Sequence, residues 1–204
     1  MISIIDYGLG NIHAFVNIYK SLNIQTKVVS DHHDIINADK LILPGVGAFD
    51  SAMQKLKSIN ILDSINEFTL IKKKPILGVC VGMQIMAKSS EEGEIEGLGW
   101  IDSNVKLFNS NNLNSDYPVP HMGWNNILPE KENILLKGLS KESFFYYLHS
   151  YYFECNDPEN IIATTEYINK FTCVVSKENI FGIQFHPEKS HDAGSILLKN
   201  FSDL

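Results

Sequence analysis

Short apolar runs of β character alternate with stretches of helical periodicity through the first half of the chain, and this alternation limits the possible folds most. Ile2–Ile5 is followed by a turn at Gly8-Leu9-Gly10, then by Ile12, Phe15, Val16 and Tyr19 at helical spacing. Thr26–Val29 and residues 41–43 read as the next strands, the latter ended by Pro44-Gly45. Helical stretches at 49–56 and 61–71 lead to a fourth apolar run at 75–79 and a further helical pattern at 82–88. Strands alternating with helices imply βαβ units, and hence a parallel sheet with helices on both faces.

The second half changes character. Residues 105–108, 124–128, 144–148, 152–155, 162–165, 173–175 and 180–184 read as strands with short turns between them, closed by a terminal helix over 192–201. This pattern suggests antiparallel ribbons added to the parallel sheet. The polar segment 109–115 reads as an exposed loop, and no stretch resembles an interdomain linker. The expectation is one α/β domain over residues 1–204, with an open, mixed, mostly parallel sheet flanked by helices and extended by antiparallel strands.

Composition narrows the function classes. With 204 residues, 44% of them hydrophobic and 20% charged, the chain buries a sizeable core and is neither disordered nor collagen-like. Its formal net charge of −7 gives no general attraction for a phosphate backbone, so nucleic acid is not an expected partner. No apolar run approaches the roughly 18 residues that span a bilayer, so no membrane association is expected. The start, Met1-Ile2-Ser3-Ile4-Ile5-Asp6, lacks a basic region and reads as a buried first strand, not a secretion signal. Cys80, Cys155 and Cys173 are odd in number and widely spaced, which suits neither a disulfide framework nor a zinc site. A cytoplasmic protein with reduced thiols, no metal and no cofactor is the expectation, with Cys155 and Cys173 assigned to packing.

Three local patterns carry chemistry. Gly78-Val79-Cys80-Val81-Gly82 joins an apolar strand to a helical stretch in the layout of a nucleophile elbow, with Cys in the usual place of Ser. Such a turn strains the nucleophile's backbone and needs small neighbours; the following helix start favours thiolate, and the Val81 amide faces a developing oxyanion. A buried structural cysteine is the competing reading. His186 follows an apolar run and precedes Pro187-Glu188, so it ends a strand with a carboxylate two residues on, as a base with its orienting acid would. A plain surface turn is the alternative for that tripeptide alone. His13, His32 and His33 read as solvated residues, and His191 opens the terminal helix. Pro44-Gly45-Val46-Gly47-Ala48-Phe49 leaves backbone amides unobstructed at the same sheet edge. Lacking the Lys-Ser/Thr of a phosphate loop, it reads as an ordinary turn or a second oxyanion donor.

Together the elbow, the Pro-Gly-Val-Gly loop and Gln184-Phe185-His186-Pro187-Glu188 resemble the class I (triad) glutamine amidotransferase domains. Asp6-Tyr7-Gly8-Leu9-Gly10-Asn11 and Pro120-His121-Met122-Gly123-Trp124-Asn125 narrow the resemblance to the glutaminase subunits of imidazole glycerol phosphate synthase. The five motifs occur in that family's order from the first strand to the last helix. Val81 stands where many relatives carry Leu, and the 109–115 loop looks like a local insertion.

The resemblance implies Cys80 as nucleophile, His186 as proton carrier and Glu188 as its orienting acid, acting on L-glutamine to give glutamate and ammonia. It implies oxyanion donors at Val81 and around Val46 and Gly47, and glutamine contacts from Gly45, Gln84, Glu92 and the His149-Ser150-Tyr151 segment. It implies a heterodimer with a (β/α)8 cyclase subunit that consumes the ammonia in histidine biosynthesis, giving imidazole glycerol phosphate and an aminoimidazole carboxamide ribotide. Asn11, Trp124 and Lys189 lie in motifs placed at or near that interface. Ammonia released into bulk water is lost or protonated, and this chain has no room for a second active site, which argues independently for a partner. Two other fates fit the same residues: ammonia supply to a surface-sugar precursor, or stand-alone hydrolysis of γ-glutamyl compounds. A silent binding module would usually lack one member of the Cys80, His186 and Glu188 set.

Overall fold

A computed structural model describes residues 1–108 and 117–204; the expected loop and insertion at 109–115 lie outside the described residues. The first half runs β1 (Ile2–Ile5), α1 (Ile12–Ser21), β2 (Thr26–Val29), α2 (His32–Asn37), β3 (Lys40–Gly45), α3 (Phe49–Ser58) and α4 (Leu62–Asn66). A π-helical turn at Glu67–Ile71 extends α4, and β4 (Ile76–Cys80) and the short α5 (Val81–Gln84) follow. The second half runs β5 (Ser89–Ser90), β6 (Ser103–Leu107), β7 (His121–Asn126), β8 (Leu128–Pro129), β9 (Phe144–His149), β10 (Tyr151–Cys155), β11 (Ile161–Glu166), β12 (Lys170–Lys177), β13 (Ile180–Ile183) and α6 (His191–Ser202).

The large sheet is mixed. Strands β2-β1-β3-β4-β13 form a parallel block in that order, and β12, β10 and β6 continue it antiparallel. Strand β11 pairs β12 and β8, and β5 adds to β6. Strands β4 and β13 are buried at every residue, as expected of unbroken apolar runs covered on both faces. Helix α1 buries Phe15 and Tyr19, one turn apart, and the Tyr19 hydroxyl donates to the Leu198 carbonyl at 3.1 Å, tying α1 to α6. The expected open, mixed, mostly parallel sheet is therefore present.

Two expectations need correction. The helix expected at 82–88 is a single turn: the Met86 and Ala87 amides reach back only three residues, to the Met83 and Gln84 carbonyls, and the Lys88 amide leaves for the Ser103 carbonyl instead of closing a further turn. Beyond that point the carbonyls of Ile85, Met86, Ala87 and Lys88 accept from Leu98, Ile101, Gly99 and Gly97. The ribbon expected at 124–128 and 144–148 does not join the main sheet. Strands β7 and β9 pair only with each other, from His121 opposite His149 to Asn126 opposite Phe144. An isolated bridge between Tyr146 and His186 links this ribbon to the end of β13.

Candidate active site

Strands β3, β4 and β13 are parallel neighbours, so their carboxyl ends share one edge, with Gly45 opposite Cys80 and Ile183 opposite Val79. Immediately beyond that edge lie the Pro-Gly-Val-Gly loop, the elbow and His186. Cys80 has φ 55° and ψ −113°, the left-handed region that a non-glycine residue adopts only under constraint. The glycines beside it permit the turn: a Cβ on Gly82 would run into the Leu43 carbonyl, and one on Gly78 into the Gly82 carbonyl. With α5 only one turn long, the Val81 and Gly82 amides are what the helix start presents near the sulfur.

His186 is held at three points. Its N–H donates to the Tyr146 carbonyl at 2.8 Å, its carbonyl accepts from the Ser190 hydroxyl at 2.5 Å, and its Nδ1 meets Glu188 Oε1 at 2.9 Å. The Glu188 contact puts a proton on Nδ1 and leaves Nε2 to serve Cys80 across the same cavity. Burial alone would lower the His186 pKa; hydrogen bonding and charge from Cys80 and Glu188 outweigh it and raise the value to about 10. Both side chains of the His186–Glu188 pair are buried, and Glu188 Oε2 has no hydrogen-bond partner.

A cavity of about 310 Å³ opens over Cys80, Val81 and His186. Val46, Gly47, Gln84, Glu92, Ser150 and Tyr151 also line it, as do His149 and Lys189. Gly45 is absent from the lining: it is packed underneath, where a Cβ would strike the Gly82 amide. Gly47 has φ +90°, a conformation that favours glycine, and open space where a Cβ would project. One Glu92 carboxylate oxygen accepts from the Phe49 amide at 2.8 Å, anchoring the residue to the start of α3. Depressions of about 640 and 570 Å³, around residues 129–139 and among β10, β11 and β12, contain none of the expected site residues. Among the described residues, no group of three or more His, Cys, Asp or Glu side chains is arranged to hold a metal ion.

The structure adds residues that sequence reasoning did not single out. The Tyr7 hydroxyl donates to the Pro44 carbonyl at 2.7 Å, securing the start of the loop, and Gly10 abuts the Pro44 ring. Burial, and secondarily the charge of Cys80, push the Tyr7 pKa upward. Gln184 is fully buried with its Nε2 at 3.9 Å from Cys80 Sγ. A polar residue inside the apolar run 180–185 was the available signal.

The expected interface residues are at the surface but in different settings. Trp124 is 49% exposed and stacks on His191 with centroids 5.1 Å apart. Lys189 lies over the Tyr146 ring at 5.6 Å, and Asn11 is exposed at the start of α1. The outer face of the β7–β9 ribbon pairs Met122 with Leu148 and Trp124 with Tyr146, and Phe144 extends the row. Met122 is 65% and Phe144 52% exposed, so an apolar stripe runs to the cavity rim at Leu148. Among the described residues, no helix is long and apolar enough to cross a membrane.

A parallel block with a cysteine elbow and a His–Glu pair at its carboxyl edge defines an α/β protein laid out for attack by sulfur on a carbonyl-type carbon. The family model for glutamine amidotransferase class-I matches residues 3–203. Imidazole glycerol phosphate synthase subunit HisH of Leptospira borgpetersenii and that of Leptospira interrogans are each 50% identical over 204 residues, covering 100% of this chain and of each relative. The structure of PurLQS from Thermotoga maritima matches with TM-score 0.73 at 16% identity, over 99% of this chain and 97% of that one, a likeness of fold. The chain belongs to the class-I glutamine amidotransferases, among the relatives of the imidazole glycerol phosphate synthase HisH subunits.

Proposed function

We propose that residues 1–204 form one amidotransferase domain, the glutaminase subunit of an imidazole glycerol phosphate synthase. It hydrolyses L-glutamine through Cys80, His186 and Glu188. The observation that carries this reading is a strained Cys80 on a cavity floor beside a buried His186 whose Nδ1 is paired with Glu188 at 2.9 Å. Cys80 Sγ attacks the carboxamide carbon, and the oxyanion is received by the Val81 amide and by the loop at Val46 and Gly47. His186 gives its proton to the departing ammonia, leaving a γ-glutamyl thioester on Cys80. Water, deprotonated by His186, then attacks the thioester and releases glutamate. Glu188 holds His186 in register throughout and offsets the charge of the imidazolium. The Glu92 oxygen not engaged by Phe49 receives the α-ammonium group of glutamine, with Gln84, Ser150 and Tyr151 forming the wall. Gly45 contributes by its close packing beneath the loop.

The apolar stripe on the β7–β9 ribbon, continuous with the cavity rim, supports a partner that covers the active-site edge. We infer a (β/α)8 cyclase subunit in a cytoplasmic heterodimer, receiving ammonia directly for histidine biosynthesis. Trp124, Lys189 and Asn11 are its proposed contacts. The names and full-length coverage of the 50%-identical relatives favour this acceptor over a surface-sugar precursor. Acid-quenching the full chain during turnover and mapping the adduct by mass spectrometry tests the chemistry. A γ-glutamyl group on Cys80 is the expected result; an adduct on Cys155 or Cys173, or none during active turnover, contradicts it.

A further inference from the structure

Behind the cavity wall runs a series of polar side chains, most of them buried, of which the proposed reaction employs only Gln84. Backbone carbonyls, which only accept, set its polarity: Glu166 at one end and Tyr151 in the middle. Asn125 Nδ2 donates to the Glu166 carbonyl at 2.8 Å and approaches His121 Nε2 at 3.3 Å. His149 Nδ1 donates to the Tyr151 carbonyl at 2.8 Å, so in the neutral ring Nε2 is an acceptor, and it receives His121 Nδ1–H at 3.1 Å. The same Tyr151 carbonyl accepts from Gln84 Nε2 at 2.9 Å; the second Gln84 N–H reaches Gln184 Oε1 at 3.2 Å, which turns the Gln184 amide nitrogen toward Cys80.

Burial lowers the His121 pKa to about 4; burial, and then the neighbouring His121, lower that of His149 to about 3. Both rings are therefore neutral at neutral pH, as the donor order requires. The His121 ring is clamped between Tyr147 at 4.7 Å and Tyr167 at 3.9 Å, which fixes its plane. Four buried polar side chains are costly in a core unless each is satisfied, and here each has a partner in line. Hydrophobic residues would pack that space without this cost.

We propose that the run from Asn125 through His121, His149, the Tyr151 carbonyl, Gln84 and Gln184 is a positioning device: its middle, at Tyr151 and Gln84, fixes the glutamine-facing wall and its Gln184 end presents an N–H to the nucleophile. The proposal rests on the glutaminase reading. His121 and His149 are positioning residues that act through Tyr151, and Gln184 orients and hydrogen-bonds the Cys80 sulfur.

The test uses the full chain with its cyclase partner and three variants chosen to separate packing from hydrogen bonding. His121→Phe keeps a ring between the two tyrosines and loses the donor, whereas His121→Gln keeps a donor and loses the stack. Gln184→Met preserves the buried volume and removes the amide. Losing one buried hydrogen bond predicts about a tenfold change. His121→Phe is expected to raise the KM for glutamine by about that factor with little change in kcat, and His121→Gln to recover most of the loss. Gln184→Met is expected to lower kcat by a similar factor with KM nearly unchanged. Unchanged constants in folded His121→Phe, or a His121→Gln protein worse than His121→Phe, overturn the proposal. Imidazole ¹H–¹⁵N spectra of the wild type give a reading independent of variant folding. Nδ1–H tautomers at both His121 and His149 support the chain of donors; an Nε2–H tautomer or a charged ring at either position overturns it. A wild type that releases no glutamate fails the parent reading instead, and is told apart because that result needs no variant.

Discussion

The parallel block and the antiparallel extension serve the same cavity by different means. In the parallel block, backbone does the positioning. The turn after β4 packs so closely on the end of β3, and folds so tightly back over Gly78, that Gly45, Gly78 and Gly82 leave no space for side chains around Cys80, which sits at positive φ. In the extension and its detached ribbon, side chains do the positioning, through the Asn125-to-Gln184 hydrogen bonds inside and the Met122, Trp124 and Phe144 stripe outside. The contrast teaches that the nucleophile's edge should be intolerant of added volume, whereas the far wall should be intolerant of lost polarity but forgiving of shape.

Short of removing the nucleophile itself, the largest expected effect comes from the side chain that completes the edge. Glu188→Gln should lower kcat/KM by about 10²–10⁴, because the histidine loses its orienting charge. The pH profile gives the sign. With the His186 pKa raised to about 10, the imidazolium survives through neutral pH and is lost as pH rises toward that value, so the wild-type rate should fall there. Removing Glu188 takes away one of the raising influences and should move the alkaline fall to lower pH; a limb that stays in place would contradict the assignment.

Gly82→Ala attacks the backbone device directly. Its new Cβ meets the Leu43 carbonyl, an atom that cannot yield, so a destabilisation of about 3 kcal/mol by chemical denaturation is expected, with loss of turnover. An alanine variant with wild-type stability would show that the strand ends have more slack than the contact implies. On the ribbon, Trp124→Ala should leave the fold and Tm nearly intact and weaken cyclase binding by about thirtyfold, the scale of a central aromatic anchor. Unaltered affinity by calorimetry would move the interface elsewhere. The smallest effect is expected at Cys173, buried on β12 with its thiol pKa pushed up to about 12, mainly by burial. Cys173→Ala should cost about 1–2 kcal/mol of stability and spare kcat at permissive temperature; a folded but inactive variant would contradict its assignment to packing.

Much of the parallel block was legible in the sequence because its determinants are local. Gly-x-Cys-x-Gly after an apolar run and His-Pro-Glu after another encode their turns within five residues, and Ile2–Ile5 and Thr26–Val29 fall where alternation puts them. Non-local partners decided what could not be read. The helix after the elbow stops at Gln84, where the Lys88 amide turns away to the Ser103 carbonyl and residues 97–101 bond the segment 85–88, and no periodicity within 82–88 reports those partners. The strand character of β7 and β9 is visible, but their separation from the main sheet is a matter of pairing across the chain. Gln184 was visible as a polar residue in an apolar run and as the head of the His186-Pro187-Glu188 motif, but not as a neighbour of the sulfur. Its meaning depends on Gln84, 100 positions away, and on a sulfur 104 positions away.

Glutamate release from glutamine by the wild type and by Cys80→Ala, each alone and with a cyclase subunit carrying its nucleotide ligand, tests the nucleophile and its coupling to the partner most directly. Turnover is expected to rise strongly with the liganded partner and to fall by at least about 10⁴ without the sulfur. Equal activity with and without the partner would contradict the coupled glutaminase, and turnover that survives Cys80→Ala would contradict the nucleophile itself.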